Sequence, residues 1–354
     1  MKGPTSMKRL ATAAAGMMLV LALLPGCAGT TPAAATTAAA TGAASPSGEP
    51  SIVKTTIRIA SLKGPTTMGL VKLTSDADAG QGKQDYQATM YGTPDEIVPQ
   101  LMKGDVDVAL LPANLAGVLY NKLKGTAGSQ IEVAAINTLG MLEVLESGDT
   151  VKTIADLKGK TIYSTGKGAS PEYVLDYLLK QNGLDPATDV TVEFKSEATE
   201  VAAVLASTPG AIGVLPQPYV TVLKAKSPAI RTALTLTDEW AKVTKDSQMV
   251  TGVVVVRRAF VEANPGAFTD FLADYKASTQ FTNAKPAQAA PLIAEAGIVP
   301  SAQVAEAAIP ACNITYIDGT ELKTTLSGYL QVLFGADPAS VGGSLPGDDF
   351  YYLP

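Results

Sequence analysis

The sequence predicts an α/β fold made of two similar lobes. Strand and helix patterns alternate from about residue 55 to the C-terminus, which is typical of parallel βαβ units. Two stretches, "LLPANLAGVL" at 110–119 and "VLPQPYVTVL" at 214–223, each contain an apolar run, a Leu-Pro pair and a predicted helix start. The chain has 354 residues, which is enough for about two domains.

The N-terminus predicts an export signal that ends at a lipid-attachment cysteine. Lys2, Lys8 and Arg9 precede the apolar run "LATAAAGMMLVLALL" and then "LPGC", which ends at Cys27. A basic segment, a short apolar segment and a small residue before the cut are typical of a secretory signal. "LPGC" resembles a bacterial lipobox, although Pro25 stands where a small residue is usual. We expect removal of 1–26 and lipidation of Cys27. A plain signal or a short membrane anchor is the alternative, but the apolar run is short for a membrane span.

The composition of residues 27–51 predicts a disordered tether. Beyond Cys27 the segment consists of Ala, Thr, Ser, Gly and Pro with one Glu, so it cannot bury enough apolar surface to offset its ordering entropy. A flexible chain of this length would let a folded body hang from a membrane and still reach a membrane partner.

The composition excludes several kinds of catalytic site. The chain has no histidine, which removes the usual general base, the Ser-His and Cys-His nucleophile pairs and the commonest zinc ligand. If Cys27 is modified, Cys312 is the one remaining cysteine, so it is expected to be a buried apolar residue without a disulfide. The formal net charge of −6 does not favour nucleic acid or anionic lipid as partners.

A shift of 104 residues aligns the two halves of the chain. The shift places Lys63-Gly64 on Lys167-Gly168, Glu96-Ile97 on Glu200-Val201, and Leu111-Pro112 on Leu215-Pro216. The shared order and spacing, more than any single identity, predict that each lobe repeats one pattern: strand, Lys-Gly loop, helix, strand and Leu-Pro corner.

The predicted elements are bounded by glycine and proline. They are a strand at 55–61, a helix ending at Gly104, a strand at 106–111, a helix starting at Ser170-Pro171, a strand at 189–196, a helix from about Thr199, a strand at 250–256 and a helix after Asn264. Thr66 or Thr67 is expected to cap the first helix, Ser170 to cap the helix that has Pro171 at its first position, and Gly183 to end that helix.

The glycine-rich stretch "GKTIYSTGKG" at 159–168 does not match a nucleotide-binding loop. Gly159 lies seven positions before Gly166, Lys167 is followed by glycine, and Pro171 replaces the third glycine of a dinucleotide fingerprint. No cluster of metal ligands is evident, so we expect neither a cofactor nor a metal. The Lys-Gly loops could instead direct backbone N–H groups into the crevice beyond the strand ends, or they could be ordinary solvated connections.

Five segments together resemble the ABC-transporter substrate-binding lipoproteins. They are "LKGPTTMG", "GDVDVALLPANLA", "NTLGMLEVLE", "LKGKTIYSTGKGASPEYVL" and "VLPQPYVTVL". They are most similar to the group that contains binders of nitrate, sulfonate, taurine, bicarbonate and thiamine precursors. The resemblance covers about 56–350 and is specific for the class, not for the ligand. It implies a type II periplasmic-binding fold, in which two α/β lobes joined by two hinge crossings close on a solute and deliver it to a membrane permease.

Carried over by position, the resemblance assigns 52–140 and 250–354 to the first lobe and 141–249 to the second. The crossings would fall near 137–142 and 250–256, where Gly140 and Gly252 suit a hinge because glycine absorbs backbone rotation. A strand glycine with only a packing role is the alternative. The C-terminal "GGSLPGDDFYYLP" is expected to pack on the first lobe or to contact the permease.

The residues at strand ends and helix starts are candidates for ligand contact in the cleft. In the first lobe they are Lys63, Gly64, Pro65, Thr66, Thr67, Met68, Tyr91, Asn114, Asn137 and Thr138, and in the second lobe they are Lys167, Gly168, Ala169, Ser170, Gln217 and Tyr219. Hydroxyls, amides and N–H groups suit an anion or a polar ring, and Tyr91 and Tyr219 could stack on a flat solute. No arginine is among them, so a bidentate clamp on a carboxylate or sulfonate is not expected, and a neutral or zwitterionic solute fits at least as well.

The sequence therefore predicts a non-enzymatic solute receptor for ABC import. It would be monomeric, exported, lipid-anchored to the outer face of the bacterial cytoplasmic membrane, and partnered by a small solute and a permease. An exported enzyme and a sensory receptor on the same fold are the alternatives.

Overall fold

Two mixed β-sheets form the framework of the chain in the computed structural model, which describes residues 54–126 and 130–353. The strands are β1 Thr56–Leu62, β2 Asp85–Tyr91, β3 Val108–Pro112, β4 Ile131–Leu139, β5 Leu142–Glu146, β6 Thr161–Ser164, β7 Thr191–Phe194, β8 Ile212–Pro216, β9 Arg231–Thr235, β10 Val250–Arg257 and β11 Ile314–Ile317. The predicted signal peptide, Cys27 and the tether lie outside the described residues.

The helices connect and cover these strands. They are α1 Pro65–Met68, α2 Val71–Asp78, α3 Pro94–Lys103, α4 Ala113–Leu123, α5 Ser170–Gln181, α6 Ala198–Ser207, α7 Tyr219–Lys226, α8 Leu236–Val243, α9 Arg258–Ala263, α10 Pro265–Ala284, α11 Pro286–Glu295, α12 Ala302–Ala308 and α13 Gly319–Ala336. Within the described residues, no helix is both long and apolar enough to cross a membrane.

The first sheet has the strand order β11-β4-β10-β3-β1-β2, and the second has the order β7-β6-β8-β5-β9. Parallel pairs (β1 with β2 and β3, β6 with β7 and β8) lie beside antiparallel ones, in which β10 and β5 run against β3 and β8. We call the part of the chain built on each sheet the first and the second lobe. Helices pack on each sheet, as expected where central strands such as β3 and β10 are mostly apolar and buried.

The repeat of 104 residues is confirmed by matching elements. Helices α3 and α6 begin and end 104 residues apart, and so do strands β3 and β8. Both lobes therefore place a Leu-Pro corner at the carboxyl end of a central strand.

The chain passes from β4 to β5 at 140–141 and returns between the end of α8 and β10, at 244–249. Gly140 lies in the first crossing, where a side chain would come within 2.3 Å of Thr237 Oγ1. Gly252, in contrast, lies inside β10 and pairs with Pro112 and Thr138. Its role is packing, because a Cβ there would lie 2.5 Å from Asn137 Oδ1.

An aromatic contact joins the lobes behind these crossings. The Trp240 ring on α8 lies 5.0 Å from the Tyr177 ring on α5 and 5.4 Å from the Tyr329 ring on α13. Trp240 is 1% exposed and Tyr329 is fully buried, so this stack extends one apolar core from the second lobe into the first.

Two predicted helix caps are wrong by a few positions. Thr66 and Thr67 lie inside α1, whose N-cap is Gly64, and both hydroxyls donate to Leu62 O. Pro65 occupies the first position because proline suits a helix start, and Gly64 precedes it at φ 143°, a value that favours glycine. Ser170 is the first residue of α5, and Ala169 is its N-cap.

The C-terminal segment packs on the first lobe. Phe350 is fully buried, with its ring 5.2 Å from the Tyr120 ring of α4, and Tyr352 N donates to Val133 O at 2.9 Å. Cys312 is fully buried as predicted, and this burial raises the pKa of its thiol to about 12.

Candidate functional site

The clearest polar contact between the lobes joins the β3–α4 corner to the β6–α5 loop. Asn114, in the first turn of α4, donates from Nδ2 to Ser340 O at 3.0 Å and to Gly168 O at 3.4 Å. Ser170 Oγ donates back to Asn114 Oδ1 at 3.1 Å. Asn114 is fully buried and Ser170 is 1% exposed, so the lobes are in direct contact at this point.

The Tyr329 hydroxyl lies beside the same contact. Tyr329 is fully buried on α13, and among the described residues its hydroxyl has no hydrogen-bond partner. Burial raises the pKa of the Tyr329 phenol, and the neighbouring Ser170 hydroxyl offsets only part of that rise. Two hydroxyls and one amide therefore meet where the two lobes touch, and all three groups are uncharged.

The second Lys-Gly loop already has an internal acceptor. The Glu172 carboxylate, in the first turn of α5, accepts a hydrogen bond from Gly168 N. An acidic side chain at this position occupies the place that an anionic ligand would take at a helix N-terminus. Lys167 and Gly168 are exposed, while Ala169 is buried.

The first Lys-Gly loop is mostly interior. Lys63 is exposed and its N–H donates to Tyr91 O at 2.9 Å, but the five residues from Gly64 to Met68 are buried. Met68 Sδ lies 3.7 Å from Cys312 Sγ. Of the six candidates in this segment, the structure leaves the side chain of Lys63 open to solvent.

Asn137 and Thr138 are fully buried at the end of β4. Thr138 Oγ1 donates to Asn137 Oδ1 at 3.0 Å, and both residues lie against Gly252. The contacts found for these two side chains are with the first lobe, so they lie behind the cleft surface.

The remaining three candidates lie on the two lobes at the other end of the interface. Gln217 is nearly buried, and its amide donates to Glu143 Oε1 and accepts from Thr221 Oγ1, both at 2.8 Å. Tyr91 is partly exposed and donates its hydroxyl to Gln100 Oε1 at 2.9 Å. Burial and the nearby Glu197 carboxylate raise the pKa of the Tyr219 phenol.

Two carboxylates that sequence reasoning missed, one from each lobe, lie beside Gly92. A Cβ placed on Gly92 would lie 3.3 Å from Glu197 Oε1 of the second lobe and 3.6 Å from Glu96 Oε2 of the first. Glu197 is the N-cap of α6 and lies 104 residues after Thr93, the N-cap of α3. The 104-residue repeat pointed to Glu197, because it aligns the start of α6 with the start of α3. Those two helix starts lie on different lobes and come close to each other at Gly92.

The arginines lie away from this cleft. Within the described residues, all four pair with carboxylates on the lobes: Arg58 and Arg257 with Asp107, Arg231 with Glu146, and Arg258 with Glu132. No group of residues in the same part of the chain could hold a metal ion. The polar side chains in contact with the other lobe include the Asn114 amide, the Ser170 hydroxyl and the Glu197 carboxylate.

The fold matches solved structures of transport proteins. An ABC transporter from Parabacteroides distasonis is 24% identical, with 84% of this chain and 99% of that chain covered and a TM-score of 0.67. The ligand-binding component of an ABC-type import system from Staphylococcus aureus, solved with zinc bound, is 19% identical over 85% and 97% of the two chains, with a TM-score of 0.65. The periplasmic aliphatic sulphonate-binding protein SsuA from Escherichia coli is 16% identical over 79% and 87%, with a TM-score of 0.63.

These structures confirm the predicted two-lobed type II periplasmic-binding fold. Comparison with curated proteins finds no match. The family model described as NMT1/THI5 like matches residues 93–289. Because that match covers more than half of the chain, the protein belongs to the NMT1/THI5-like family, as the resemblance to substrate-binding proteins in its sequence predicted.

Proposed function

We propose that this chain is the solute-binding lipoprotein of an ABC import system and that it captures a small polar molecule between its lobes. The observation that carries the proposal is the contact of Asn114 with Ser170 and Gly168, since it joins the two lobes at strand ends. In open α/β sheets, ligands bind in the crevice beyond those ends. Solved structures of the same fold are named as ABC import components and as a sulphonate binder.

The site we propose is narrower than the candidate set. It uses Asn114, Lys63 and Tyr91 from the first lobe, together with Lys167, Gly168, Ser170 and Tyr219 from the second. The buried group (Gly64, Pro65, Thr66, Thr67, Met68, Asn137, Thr138 and Ala169) supports this surface from behind, and Gln217 orients Glu143. The lobes would be 52–140 with 250–354, and 141–249, in agreement with the strands that each sheet contains.

The chemistry of the interface favours a solute without a strongly anionic group. The Glu172 carboxylate accepts from the N–H of Gly168, and the carboxylates of Glu96 and Glu197 both lie beside Gly92, where their hydrogen bonds come from backbone N–H groups and threonine hydroxyls. The arginines that could clamp an oxyanion are engaged elsewhere. A neutral or zwitterionic organic molecule suits the uncharged amide and hydroxyl groups of Asn114, Ser170 and Tyr329.

Alanine at Asn114 or at Ser170 is expected to weaken solute binding about 5- to 30-fold, because each variant loses the buried hydrogen bond between the lobes, which is worth roughly 1–2 kcal/mol. The solute is identified by native mass spectrometry of the purified chain, and its affinity is measured by calorimetry and by the ligand-dependent rise in the melting midpoint. Asn182→Ala is the matched control, since Asn182 Nδ2 donates to Leu178 O within the second lobe and bonds neither the other lobe nor the turn that holds Asn114.

Unchanged affinity in both Asn114→Ala and Ser170→Ala would place the solute elsewhere. Conversion of the bound solute into a product would favour the alternative of an exported enzyme. The absence of histidine from the chain argues for binding without turnover.

We also propose that Cys27 carries the lipid anchor and that residues 27–51 tether the binding body beside a permease. Labelled palmitate is expected to enter the wild-type chain in a bacterial host and to be absent from the Cys27→Ala variant. Equal labelling of the wild type and Cys27→Ala would overturn the lipoprotein assignment. Loss of the label in a Cys312→Ala variant would overturn it as well.

A further inference from the structure

The first lobe holds two consecutive backbone carbonyls where the chain leaves it for the second lobe. Thr251 Oγ1 on β10 donates to Leu139 O at 2.8 Å. Asn313, the residue before β11, donates from Nδ2 to Gly140 O and accepts from Leu139 N at 3.1 Å through its own backbone O. Strands β10 and β11 both belong to the first sheet. The peptide planes on both sides of Gly140 are therefore fixed to the first lobe.

The next peptide plane is held by the second lobe. Met141 O accepts from Gln217 N at 3.1 Å, and Leu142 pairs with Pro216 in the second sheet. A peptide unit is planar, so each residue contributes two rotatable backbone torsions, φ and ψ. The torsions of Met141 separate the last plane held by the first lobe from the first plane held by the second. Rotation about them breaks none of these hydrogen bonds.

Gly140 is also enclosed from the side of the second lobe. A Cβ placed on it would collide with Thr237 Oγ1 of α8 and with Met249 Cε of the second crossing. Gly140 does not have a positive φ, so the close approach of these groups, and not its backbone conformation, requires glycine here. Met249 is 3% exposed, and the two crossings therefore pack against each other at this residue.

The second crossing changes partners over an equally short segment. Ser247 O accepts from Trp240 Nε1 of α8 at 3.1 Å, and Val250 pairs with Leu139 in the first sheet. Residues 248–249 are thus the ones left between a carbonyl bonded to α8 and a strand of the first lobe. Each crossing has one or two residues in which a rotation of the lobes can be absorbed.

Asn313 has a backbone conformation that suits contact with two neighbouring residues. Its φ of 46° and ψ of 40° are left-handed, and no other non-glycine residue in the described part of the chain has a positive φ. Asparagine is one of the few residues with a side chain that adopts this conformation readily. The side chain is exposed, so its replacement disturbs no core packing.

We propose that the first crossing bends at Met141 and that Asn313 is a positioning residue that keeps Gly140 out of the hinge. Without the Asn313 amide, the plane after Gly140 is free, and the crossing gains the φ and ψ of the most permissive residue type. The solute-free chain then samples a wider range of lobe separations, and the closed arrangement is a smaller fraction of the population. This inference rests on the proposed function, because it takes lobe closure as the step that captures the solute.

Distances between spin labels on the two lobes test the hinge without any solute. Lys103→Cys and Ser207→Cys place the labels at the exposed ends of α3 and α6, one on each lobe. The chain also carries Cys27→Ala, and Cys312 is fully buried and does not react. Pulsed electron resonance then gives the distribution of lobe separations. A failure to find a solute leaves this measurement intact, so it is distinguishable from a failure of the hinge.

Glycine at position 313 removes the amide and keeps the left-handed backbone. Asn313→Gly is expected to broaden the distribution of label distances toward larger values. Asn313→Asp should broaden it at least as much, because a carboxylate cannot donate to Gly140 O. Asn283→Ala is the matched control, since Asn283 Nδ2 donates to Ile314 O at 2.7 Å, next to Asn313 but away from the crossings. Its distribution should equal that of the wild type.

Solute affinity gives a second readout. Asn313→Gly is expected to weaken binding of the solute found by native mass spectrometry about 2- to 10-fold, through the smaller closed fraction. Unchanged label distances in Asn313→Gly would overturn the proposal, even if the affinity fell, because the loss would then come from another cause. Equal broadening in Asn283→Ala would overturn it as well, since it would show a general loosening around β11.

Discussion

Replacement of Glu146 by alanine is expected to lower the free energy of unfolding by about 2–4 kcal/mol. The Glu146 side chain is fully buried at the end of β5. It accepts hydrogen bonds from Thr150 N at 2.8 Å, from Thr150 Oγ1 at 2.6 Å and from Val151 N at 3.1 Å, and it pairs with Arg231. Alanine would leave two backbone N–H groups and a half-buried guanidinium without this acceptor. Urea unfolding of the two chains measures the difference.

Acidification gives an independent test of the same carboxylate. Burial alone would raise the pKa of Glu146, but the hydrogen bonds from Thr150, Val151 and Arg231 outweigh burial and lower it below the usual value. A lowered folded-state pKa gives stability that is present above the unfolded pKa of about 4.3 and is lost as the pH falls through the folded value. Glu146→Gln should therefore lose less stability than the wild type on acidification below about pH 5.

Asp149→Ala is the matched control for Glu146. Asp149 bonds the same guanidinium, at 3.1 Å from Arg231 Nε, but its side chain is 73% exposed. Its removal is expected to leave the urea midpoint nearly unchanged because water screens an exposed pair. Equal losses in Asp149→Ala and Glu146→Ala would show that burial of the carboxylate is not the cause.

Alanine at Gly342 is expected to destabilise the chain by about 2–4 kcal/mol. Gly342 has a φ of 84°, which favours glycine, and a Cβ there would lie 2.9 Å from Val118 Cα, a backbone atom of α4 that cannot rotate away. The preceding turn supplies Ser340 O to Asn114 and Val341 O to Asn121. Displacement of this turn should therefore also weaken solute binding through Asn114.

Gly343→Ala separates backbone strain from the collision at Gly342. Gly343 has a similar φ of 88°, but a Cβ there would meet no atom within 4 Å. We expect Gly343→Ala to lower the free energy of unfolding by about 1–2 kcal/mol, which is the cost of the backbone strain alone. Chemical unfolding of both variants measures the difference between their free energies of unfolding. Equal losses of stability would mean that the contact with Val118 relaxes without cost.

The repeated elements were predictable because their signals are local. Helix α3 ends at Gly104, which adopts the left-handed conformation that a terminating glycine favours. The Leu-Pro pairs mark the ends of β3 and β8 because proline cannot donate to a sheet, and each pair is followed by a helix start. The spacing between the two copies then predicted that two equivalent corners exist.

The composition of the site was less predictable, because it depends on which partner each side chain meets. Asn114 and Ser170 were candidates by position, and the structure shows that they bond each other across the lobes. Gln217 was equally plausible in sequence, yet Glu143 and Thr221 occupy its amide. Glu197 was missed, because an exposed glutamate at a helix start has no local feature that distinguishes it from a solvated one.

The sequence by itself determined the α/β class, the two-lobed repeat, the absence of histidine chemistry and the strand-to-helix corners, since each follows from periodicity, breakers or composition. The tertiary structure decided which candidate residues face the other lobe and which lie behind the surface. It placed Gly252 inside β10 instead of at a hinge, buried Asn137 at the end of β4, and brought Glu172 onto the Gly168 N–H. The physical reason is that hydrogen-bond partners and burial are set by contacts between residues far apart in the chain, and no local pattern encodes them.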